Sequence, residues 1–385
     1  MNPVNPIIPL ILLIIILLAI KLSDFFFKTK LNDVKHLAID GLRGYLAVFV
    51  FFHHGAIWYY YAKNEGWNNP PSNLFNHFGQ TSVLLFFMIT GFLFYSKLIN
   101  SYKGSIDWLR LYVSRFLRIT PLFLLAFLFM FIIVLIASGF KITEAPASLL
   151  KNIFIWLSFG IIDMPDLNNV PDTRLIIACV SWSLVYEWLF YFSLPLIALI
   201  LFRIKTGWKV ILLSVAGLTF VLLNSSLDIL NLISFIGGIA GAFIYKTGKL
   251  NNFANSIFGS MVAAGCLVCA VVLFSTPYAL VPLILLSVFF ILIANGTSLF
   301  GLLHLNISRI LGQISYTIYL MHGILLYVTF TFILKADHTP IEHWAIVSII
   351  SIFLIVICRI IYIYYEAPLF GLTSKYTEII RKKLS

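Results

Sequence analysis

Two residues that could do chemistry, Arg43 and His54, stand in an otherwise apolar segment near the start of the chain. They are eleven residues apart, or about three helical turns, so both side chains share one helix face roughly 16 Å apart along the axis. An arginine suits phosphate or carboxylate, and a buried histidine suits proton transfer. The neighbouring His53 points about 100° away. For an isolated pair, a histidine bonded to another helix and an arginine reaching the membrane surface would be the better interpretation.

The pair is not isolated, because ionisable side chains also occur in other apolar segments. Arg115 and Arg118 are three residues apart and share a helix face that could grip phosphates, although taken alone they are better explained as membrane-surface anchors. Glu187 lies at least one turn inside a further apolar segment that begins near Trp182. A carboxylate in that position needs a partner, and a histidine on another helix is a candidate.

Two motifs near the C-terminus complete the set. The segment that begins with Ser315 and Tyr316 places His322 deep in an apolar run. Glu366 and Pro368 close the last run, where a helix end followed by proline would explain them structurally. An ionisable group within lipid costs at least about 2.5–3.5 kcal/mol, so each of these residues is a functional-site hypothesis.

The elements that must position these residues are transmembrane helices. Hydrophobic residues make up 61% of the chain and charged residues 11%, against about 45–50% and about 25% in a typical soluble domain. Only helices and closed barrels satisfy their backbone within lipid, and the long continuous apolar runs here lack the alternation of barrel strands. The composition therefore predicts an all-α, polytopic integral membrane protein.

The apolar runs predict about eleven spans, at residues 7–20, 39–61, 82–99, 119–140, 182–202, 209–223, 229–246, 257–275, 278–294, 314–334 and 344–365. The first run has no basic segment before it and no small-residue cleavage site after it, so it is predicted to be an uncleaved span. A shorter apolar piece at 149–162 is predicted to be interfacial or re-entrant. We expect an extra span with a cytoplasmic linker at 1–35, one membrane domain at 36–370 and a basic cytoplasmic tail at 371–385.

The formal charge of +11 indicates topology and contact with anionic lipid rather than nucleic acid, because the basic residues are scattered between apolar runs. With residues 21–38 in the cytoplasm, nineteen Lys and Arg residues fall on the cytoplasmic side and five on the other side. This asymmetry predicts an odd number of spans and a cytoplasmic C-terminus.

Taken together and in this order, the motifs resemble those of the acyltransferase-3 family over residues 36–370. The matching motifs are Arg-x10-His (Arg43, His54), Arg-x-x-Arg (Arg115, Arg118), Trp-Ser-Leu-x-x-Glu (Trp182, Glu187), Ser-Tyr-x-x-Tyr-Leu-x-His (Ser315, Tyr316, Tyr319, His322) and Glu-x-Pro (Glu366, Pro368). The resemblance implies a ten-helix core that transfers acyl groups, most often acetyl, to extracytoplasmic carbohydrate. The chain departs from the family in its extra first span and in lacking the esterase-like domain that some members append, which leaves open whether one chain completes the reaction.

The resemblance and the spacing together predict the roles of the site residues. Acetyl-CoA or another acyl-CoA is the expected donor substrate, with its phosphates held by Arg43, Arg115 and Arg118. His54 would act as general base or as nucleophile, oriented by Glu187, so direct transfer and an acyl-enzyme relay both stay open. No bound cofactor and no metal are predicted. Supporting roles are assigned to His53, Asp40, Trp182, Tyr316 and His322.

The acceptor is predicted to be a surface or lipid-linked glycan, such as an O-antigen or exopolysaccharide, modified at a bacterial inner membrane. Tyr59 and Trp67, in the aromatic stretch after the second span, could stack on sugar rings, although an aromatic belt at the membrane interface is the base expectation. Two alternatives stay open. A secondary transporter of a small anion would also use buried His, Arg and Glu, and another membrane acyltransferase fold would also carry an intramembrane His.

Overall fold

The long apolar runs form helices in the computed structural model, which describes residues 2–27, 31, 35–334 and 338–384. Within these ranges the chain forms sixteen α-helices and no strand longer than an isolated bridge. The helices are α1 (Ile7–Phe27), α2 (Leu37–Tyr61), α3 (Asn73–Asn100), α4 (Trp108–Ala137), α5 (Pro146–Trp156), α6 (Trp182–Phe202), α7 (Trp208–Asn224), α8 (Ile229–Thr247), α9 (Asn251–Ala254), α10 (Ile257–Leu273), α11 (Leu280–Ala294), α12 (Asn306–Gln313), α13 (Ser315–Val328), α14 (Pro340–Ile361), α15 (Ala367–Gly371) and α16 (Thr373–Leu384).

The prediction of an all-α polytopic membrane protein is confirmed. Among the described residues, seven helices are long and apolar enough to cross a membrane, namely α1, α3, α4, α6, α8, α13 with its extension and α14 with its extensions. The shorter apolar helices α7, α10 and α11, together with the buried α2, occupy the other four predicted span positions. The piece predicted to be interfacial or re-entrant forms the eleven-residue helix α5. Most of the predicted linker between α1 and α2 lies outside the described residues.

Local sequence signals set several helix ends. The side chains of Asp107, Asp228 and Ser256 accept hydrogen bonds from backbone N–H groups in the first turns of α4, α8 and α10, at 3.0, 2.7 and 3.1 Å. Such caps satisfy N–H groups that have no partner within the helix. Gly248 ends α8 with a φ of +67°, a conformation that glycine adopts without steric cost.

The helices divide into two compact units. The first contains Met1–Lys97 and Asp228–Arg359, and the second contains Leu98–Leu227 and Ile360–Ser385. Within the first unit, a side chain at Gly312 would overlap the backbone carbonyl of Asp40, and one at Gly238 would overlap that of Met88. Glycine therefore lets α12 approach α2, and α8 approach α3, at backbone distance, as small residues do between membrane helices.

The second unit contains the predicted basic tail. That tail forms helix α16, whose Arg381 pairs with Asp107 at the start of α4 at 2.7 Å. Helical backbone continues past Glu366 and Pro368, the residues that close the last predicted span. A π-helical turn at Tyr362–Glu366 continues α14, and α15 follows directly. Proline is tolerated there because it occupies the first turn of α15, where its missing N–H costs no hydrogen bond.

The extra first span packs onto the first unit through one face of α1. Its buried side chains recur every four residues, at Ile8, Leu12, Ile16 and Ile20. Farther along the same helix, Asp24 forms an ion pair of 3.3 Å with Arg359 of α14, a side chain that is 1% exposed. At the other end of α14, the indole N–H of Trp344 donates to the carbonyl of Pro3 at 2.8 Å. The helix α1 is thus tied to α14 by polar contacts at both of its ends.

Removing the Asp24 carboxylate is expected to destabilise the first unit. Breaking a fully buried ion pair costs about 3–5 kcal/mol and breaking an exposed one about 0–1 kcal/mol. Because the Asp24 side chain is 40% exposed, we expect Asp24→Ala to lower the free energy of unfolding by about 1–3 kcal/mol, measured as a lower unfolding temperature in detergent. The double variant Asp24→Ala, Arg359→Met should recover most of the loss. Equal unfolding temperatures for Asp24→Ala and the unchanged protein would show that the pair contributes nothing.

Candidate active site

Helix α2 carries both Arg43 and His54, as the eleven-residue spacing predicts. Arg43 is six residues after the helix start, or about 9 Å along the axis, and His54 is seven residues before its end, or about 10 Å. His54 is buried, with 9% of its surface exposed. It therefore lies closer to the C-terminal end of α2, which is predicted to face the extracytoplasmic side.

A second histidine, His322 of α13, faces His54. Nδ1 of His54 lies 3.0 Å from Nε2 of His322 and 3.0 Å from the backbone carbonyl of Val50. Nδ1 of His322 lies 3.0 Å from the carbonyl of Ile318, one turn earlier on its own helix. Each ring is thus held by its own helix, and the pair joins two elements that are 268 residues apart in sequence.

These contacts define the tautomers of the two rings when both are neutral. A carbonyl oxygen only accepts, so Nδ1 of His322 carries the proton and its Nε2 offers a lone pair. Nδ1 of His54 faces two acceptors, this lone pair and the carbonyl oxygen of Val50. Nδ1 of His54 therefore carries a proton as well. Nε2 of His54 then keeps its lone pair. This assignment, which follows from the heavy-atom contacts, makes Nε2 of His54 the basic nitrogen of the pair.

Aromatic and histidine side chains surround the pair. Trp67, from the loop after α2, stacks on the His54 ring with a centroid separation of 6.0 Å and an interplanar angle of 25°. His53 points elsewhere, with Nδ1 2.8 Å from the carbonyl of Phe75, and a side chain at Gly79 would overlap its ring. His53 therefore positions α2 against α3. Across the described residues, no group of three or more His, Cys, Asp and Glu is arranged to hold a metal ion.

Arg43 is positioned by Asp40, one turn before it on α2. The guanidinium and the carboxylate lie 3.6 Å apart, with 16% of the arginine side chain and 31% of the aspartate side chain exposed. Surface pairs of this kind contribute little stability. Both residues belong to the first unit, as do His54 and His322.

In the second unit, Arg115 of α4 and Glu187 of α6 meet through a tyrosine. The hydroxyl of Tyr191 donates to Oε2 of Glu187 at 2.7 Å. The Arg115 guanidinium hydrogen-bonds with Tyr191 and is attracted by the charge of Glu187. The helix that carries Arg115 and Arg118 begins at Trp108, where Asp107 caps it, so the two arginines lie two to three turns inside α4. They directly precede the predicted span at 119–140, and their place at the start of that span stays a prediction.

Tyr191 was not among the site residues predicted from the sequence. The signal was available, because Tyr191 follows Glu187 by four residues on one helix, a spacing that brings side chains together. Arg118 lies three residues from Arg115 on the same helix, as predicted. Glu187 has its described partner within its own unit, so its role as the partner of His54 stays a prediction.

The other predicted site residues lie in varied surroundings. Trp182 is 38% exposed and packs edge-on against Tyr186, with ring centroids 5.8 Å apart. Tyr59 is buried against His343, at 5.3 Å between ring centroids. Tyr316 is half-buried on α13. Glu366 is buried in its π-helical turn, a type of turn that is frequent at functional sites.

Comparison with known protein families identifies the same family that the motifs resemble. The family model described as an acyltransferase domain matches residues 36–362 of the 385-residue chain. No curated protein and no solved structure gave a match. The matched range runs from the start of α2 into the turn after α14 and contains all the motif residues except Glu366 and Pro368, while α1 lies before it. The chain therefore belongs to the acyltransferase-3 family and is a multi-pass membrane acyltransferase.

Proposed function

We propose that the protein transfers an acyl group, acetyl in the first instance, from cytoplasmic acyl-CoA to a hydroxyl of an extracytoplasmic or lipid-linked carbohydrate. The observation that carries this proposal is the buried His54 and His322 pair, in which Nε2 of His54 keeps its lone pair. The lysine and arginine count supports a cytoplasmic C-terminus, and a bacterial inner membrane suits an enzyme of this kind.

The free Nε2 supports two routes of transfer. In direct transfer, Nε2 removes the proton of the acceptor hydroxyl while the hydroxyl oxygen attacks the thioester carbonyl. The carbon–sulfur bond then breaks, and the leaving CoA thiolate takes up the proton. In the relay, Nε2 attacks the carbonyl carbon, the carbon–sulfur bond breaks, and CoA leaves as a thiolate while the ring carries the acyl group. The acceptor hydroxyl then attacks the same carbon, the carbon–nitrogen bond breaks to restore Nε2, and the hydroxyl proton passes to the thiolate.

His322 supports both routes as a positioning residue. Nδ1 of His54 becomes more acidic as positive charge develops on the ring, and Nε2 of His322 lies 3.0 Å away to accept its proton. A hydrogen bond that strengthens as charge develops lowers the barrier more than it stabilises the ground state. His322 thus plays the part that the carboxylate plays for the histidine of a catalytic triad.

The donor phosphates are assigned to Arg43, Arg115 and Arg118. Tyr191 and Glu187 support this assignment, because they hold the Arg115 side chain in place. A guanidinium that is already oriented loses less side-chain entropy when it binds a phosphate. Whether Glu187 also orients His54 is a separate proposal.

Arg43→Ala and Arg118→Ala are each expected to raise the KM for acyl-CoA by about 10-fold to 100-fold. A hydrogen bond to a charged group contributes about 1.5–3 kcal/mol, which corresponds to that range. The measurement is steady-state transfer at varied acyl-CoA concentration. Arg110→Ala is the matched control, since Arg110 is an exposed arginine on the same helix as Arg118 but outside the motif. Unchanged KM values in both motif variants would remove the arginines from the donor site.

Of the two aromatic residues predicted to contact the acceptor, Trp67 is a better candidate than Tyr59. It lies over the His54 ring, whereas Tyr59 is buried against His343. A sugar that approaches from the predicted extracytoplasmic side would meet the indole before it reached His54. The indole offers a flat apolar face and an N–H donor, both of which suit a sugar ring.

The decisive experiment supplies radiolabelled acetyl-CoA to the purified protein in lipid nanodiscs together with glycan acceptors. The proposal predicts label on the glycan in an ester that mild alkali removes. Label that is released only as acetate, with every acceptor tested, would contradict transfer to carbohydrate.

A further inference from the structure

Five aromatic side chains lie together beside the His54 and His322 pair, toward the end of α2 that is predicted to be extracytoplasmic. Trp58, one turn after His54, is 2% exposed and contacts the other four rings at centroid distances between 5.3 and 5.9 Å. This aromatic layer consists of Trp58, Tyr61 and Trp67 from α2 and the loop after it, and of Tyr327 and Phe330 from α13 and the turn that continues it.

The loop after α2 carries Trp67 back to His54. The helix continues for seven residues past His54, about 10 Å along its axis, so the chain must then turn back. The N–H of Glu65 donates to a carbonyl in the last turn of α2 at 3.2 Å, and Gly66 has a φ of +76°, a conformation that glycine adopts without steric cost. The side-chain amide of Asn68 donates to the carbonyl of Glu65 at 2.8 Å. Local hydrogen bonds and one glycine therefore fix the position of the indole.

The Trp67 indole is held between three rings. Its face stacks on His54, and Trp58 and Tyr61 meet it edge-on with interplanar angles of 86° and 78°. Edge-to-face and offset-stacked arrangements are the favoured geometries of aromatic pairs. Trp67 is half-buried, so one part of the indole covers the His54 ring and the rest is exposed.

A stacked indole covers a face of the imidazole and leaves its edge open. The lone pair of Nε2 lies in the plane of the His54 ring, so a group on the ring face does not occupy the direction from which a substrate atom approaches Nε2. The apolar indole does keep water from that face. Excluding water from an active site protects a reactive group from hydrolysis.

Water competes with the acceptor hydroxyl in both routes of transfer. In direct transfer, Nε2 of His54 would remove a proton from water while the water oxygen attacks the thioester carbon, and the carbon–sulfur bond would break. In the relay, water would attack the acyl carbon carried by Nε2, and the carbon–nitrogen bond would break. In either route the products are acetic acid and CoA, whose thiolate takes up the proton from water.

We propose that Trp67 shields His54 from water, so that the acyl group passes to the acceptor and is not hydrolysed. That the acyl group comes from acyl-CoA rests on the proposed function. Shielding differs from contact with the acceptor, because it operates before any acceptor has bound. A residue that only contacts the sugar would change transfer and leave hydrolysis in the absence of acceptor unchanged.

The test measures the release of labelled acetate from acetyl-CoA by the purified protein in lipid nanodiscs, with no acceptor present. We expect Trp67→Ala to raise this rate by about tenfold, which corresponds to a barrier lower by about 1.4 kcal/mol. Trp67→Phe keeps an aromatic ring over His54 and should restore most of the protection. When a glycan acceptor is added, Trp67→Ala should also lower the ratio of transferred to hydrolysed acetyl.

Two further variants separate shielding from a change in the fold. Gly66→Ala keeps the indole but strains the loop at a φ of +76°, so it should also raise acetate release. The double variant His54→Ala, Trp67→Ala should release no more acetate than His54→Ala, because hydrolysis at this site needs Nε2. Tyr60→Ala is the matched control, since Tyr60 is a half-buried aromatic residue at the same end of α2. Among the described residues its ring contacts Tyr59 and not Trp67, so its acetate release should equal that of the unchanged protein.

Equal acetate release by Trp67→Ala, Gly66→Ala and the unchanged protein would overturn the proposal. So would a rise in Trp67→Ala that persists when His54 is also replaced, because water would then react elsewhere. The outcome is separable from the proposed function. Acetate release that depends on both Trp67 and His54 supports the shield even if no glycan accepts the acetyl group, whereas transfer to a glycan with unchanged hydrolysis in Trp67→Ala overturns the shield alone.

Discussion

Replacing His54 by alanine is expected to lower the rate of acyl transfer by about 10²–10⁴-fold, the usual contribution of a positioned general base. Nε2 of His54 is the basic nitrogen of the buried pair, and the variant removes it without adding a group that could replace it. The measurement is the rate of transfer of labelled acetyl from acetyl-CoA to the glycan acceptor, expressed per folded molecule. Binding of acyl-CoA should persist, because the residues assigned to the donor are unchanged.

His77→Ala is the matched control for this variant. His77 is also a buried histidine of the first unit, but both of its ring nitrogens are engaged, with Thr81 at 2.8 Å and with the carbonyl of Phe274 at 2.9 Å. Its loss should lower the unfolding temperature and leave the rate per folded molecule unchanged. Full transfer by the His54→Ala variant would remove His54 from the chemistry.

His322→Ala is expected to lower kcat by about 10²-fold while the KM for acyl-CoA stays the same. His322 acts through His54, because its Nε2 faces the protonated Nδ1 of that ring. A group that fixes the tautomer and accepts the proton contributes to the transition state rather than to substrate binding. His322→Gln should recover part of the rate, since a glutamine carbonyl can accept from the same Nδ1.

The double variant His54→Ala, His322→Ala tests whether His322 only positions His54 or also has a function of its own. If His322 acts only through His54, the variant that lacks both histidines should be no slower than His54→Ala. A further loss of rate in the double variant would mean that His322 contacts the substrate itself. An increase in KM without a decrease in kcat would assign His322 to binding.

The fold class and the order of the spans could be predicted because both depend on local composition. A run of about twenty apolar residues must form a helix in lipid whatever its neighbours are, since its backbone has no other hydrogen-bond partner. The spacing of Arg43 and His54 likewise predicted one helix face, because a helix has the same period wherever it occurs. The helical backbone beyond Glu366 was not predicted, because Pro368 usually marks a helix end but here lies in the first turn of a new helix.

The sequence by itself thus determined that this protein is a bundle of membrane helices carrying a few costly ionisable residues, and its motifs indicated acyl transfer. Only the tertiary structure decided which of those residues meet. The contact of His54 with His322 depends on how α2 and α13 are rotated and how far each is shifted along its axis, which the spacing within either helix does not determine. Close packing such as that of Gly312, just before α13, against Asp40 of α2 is a property of the tertiary structure.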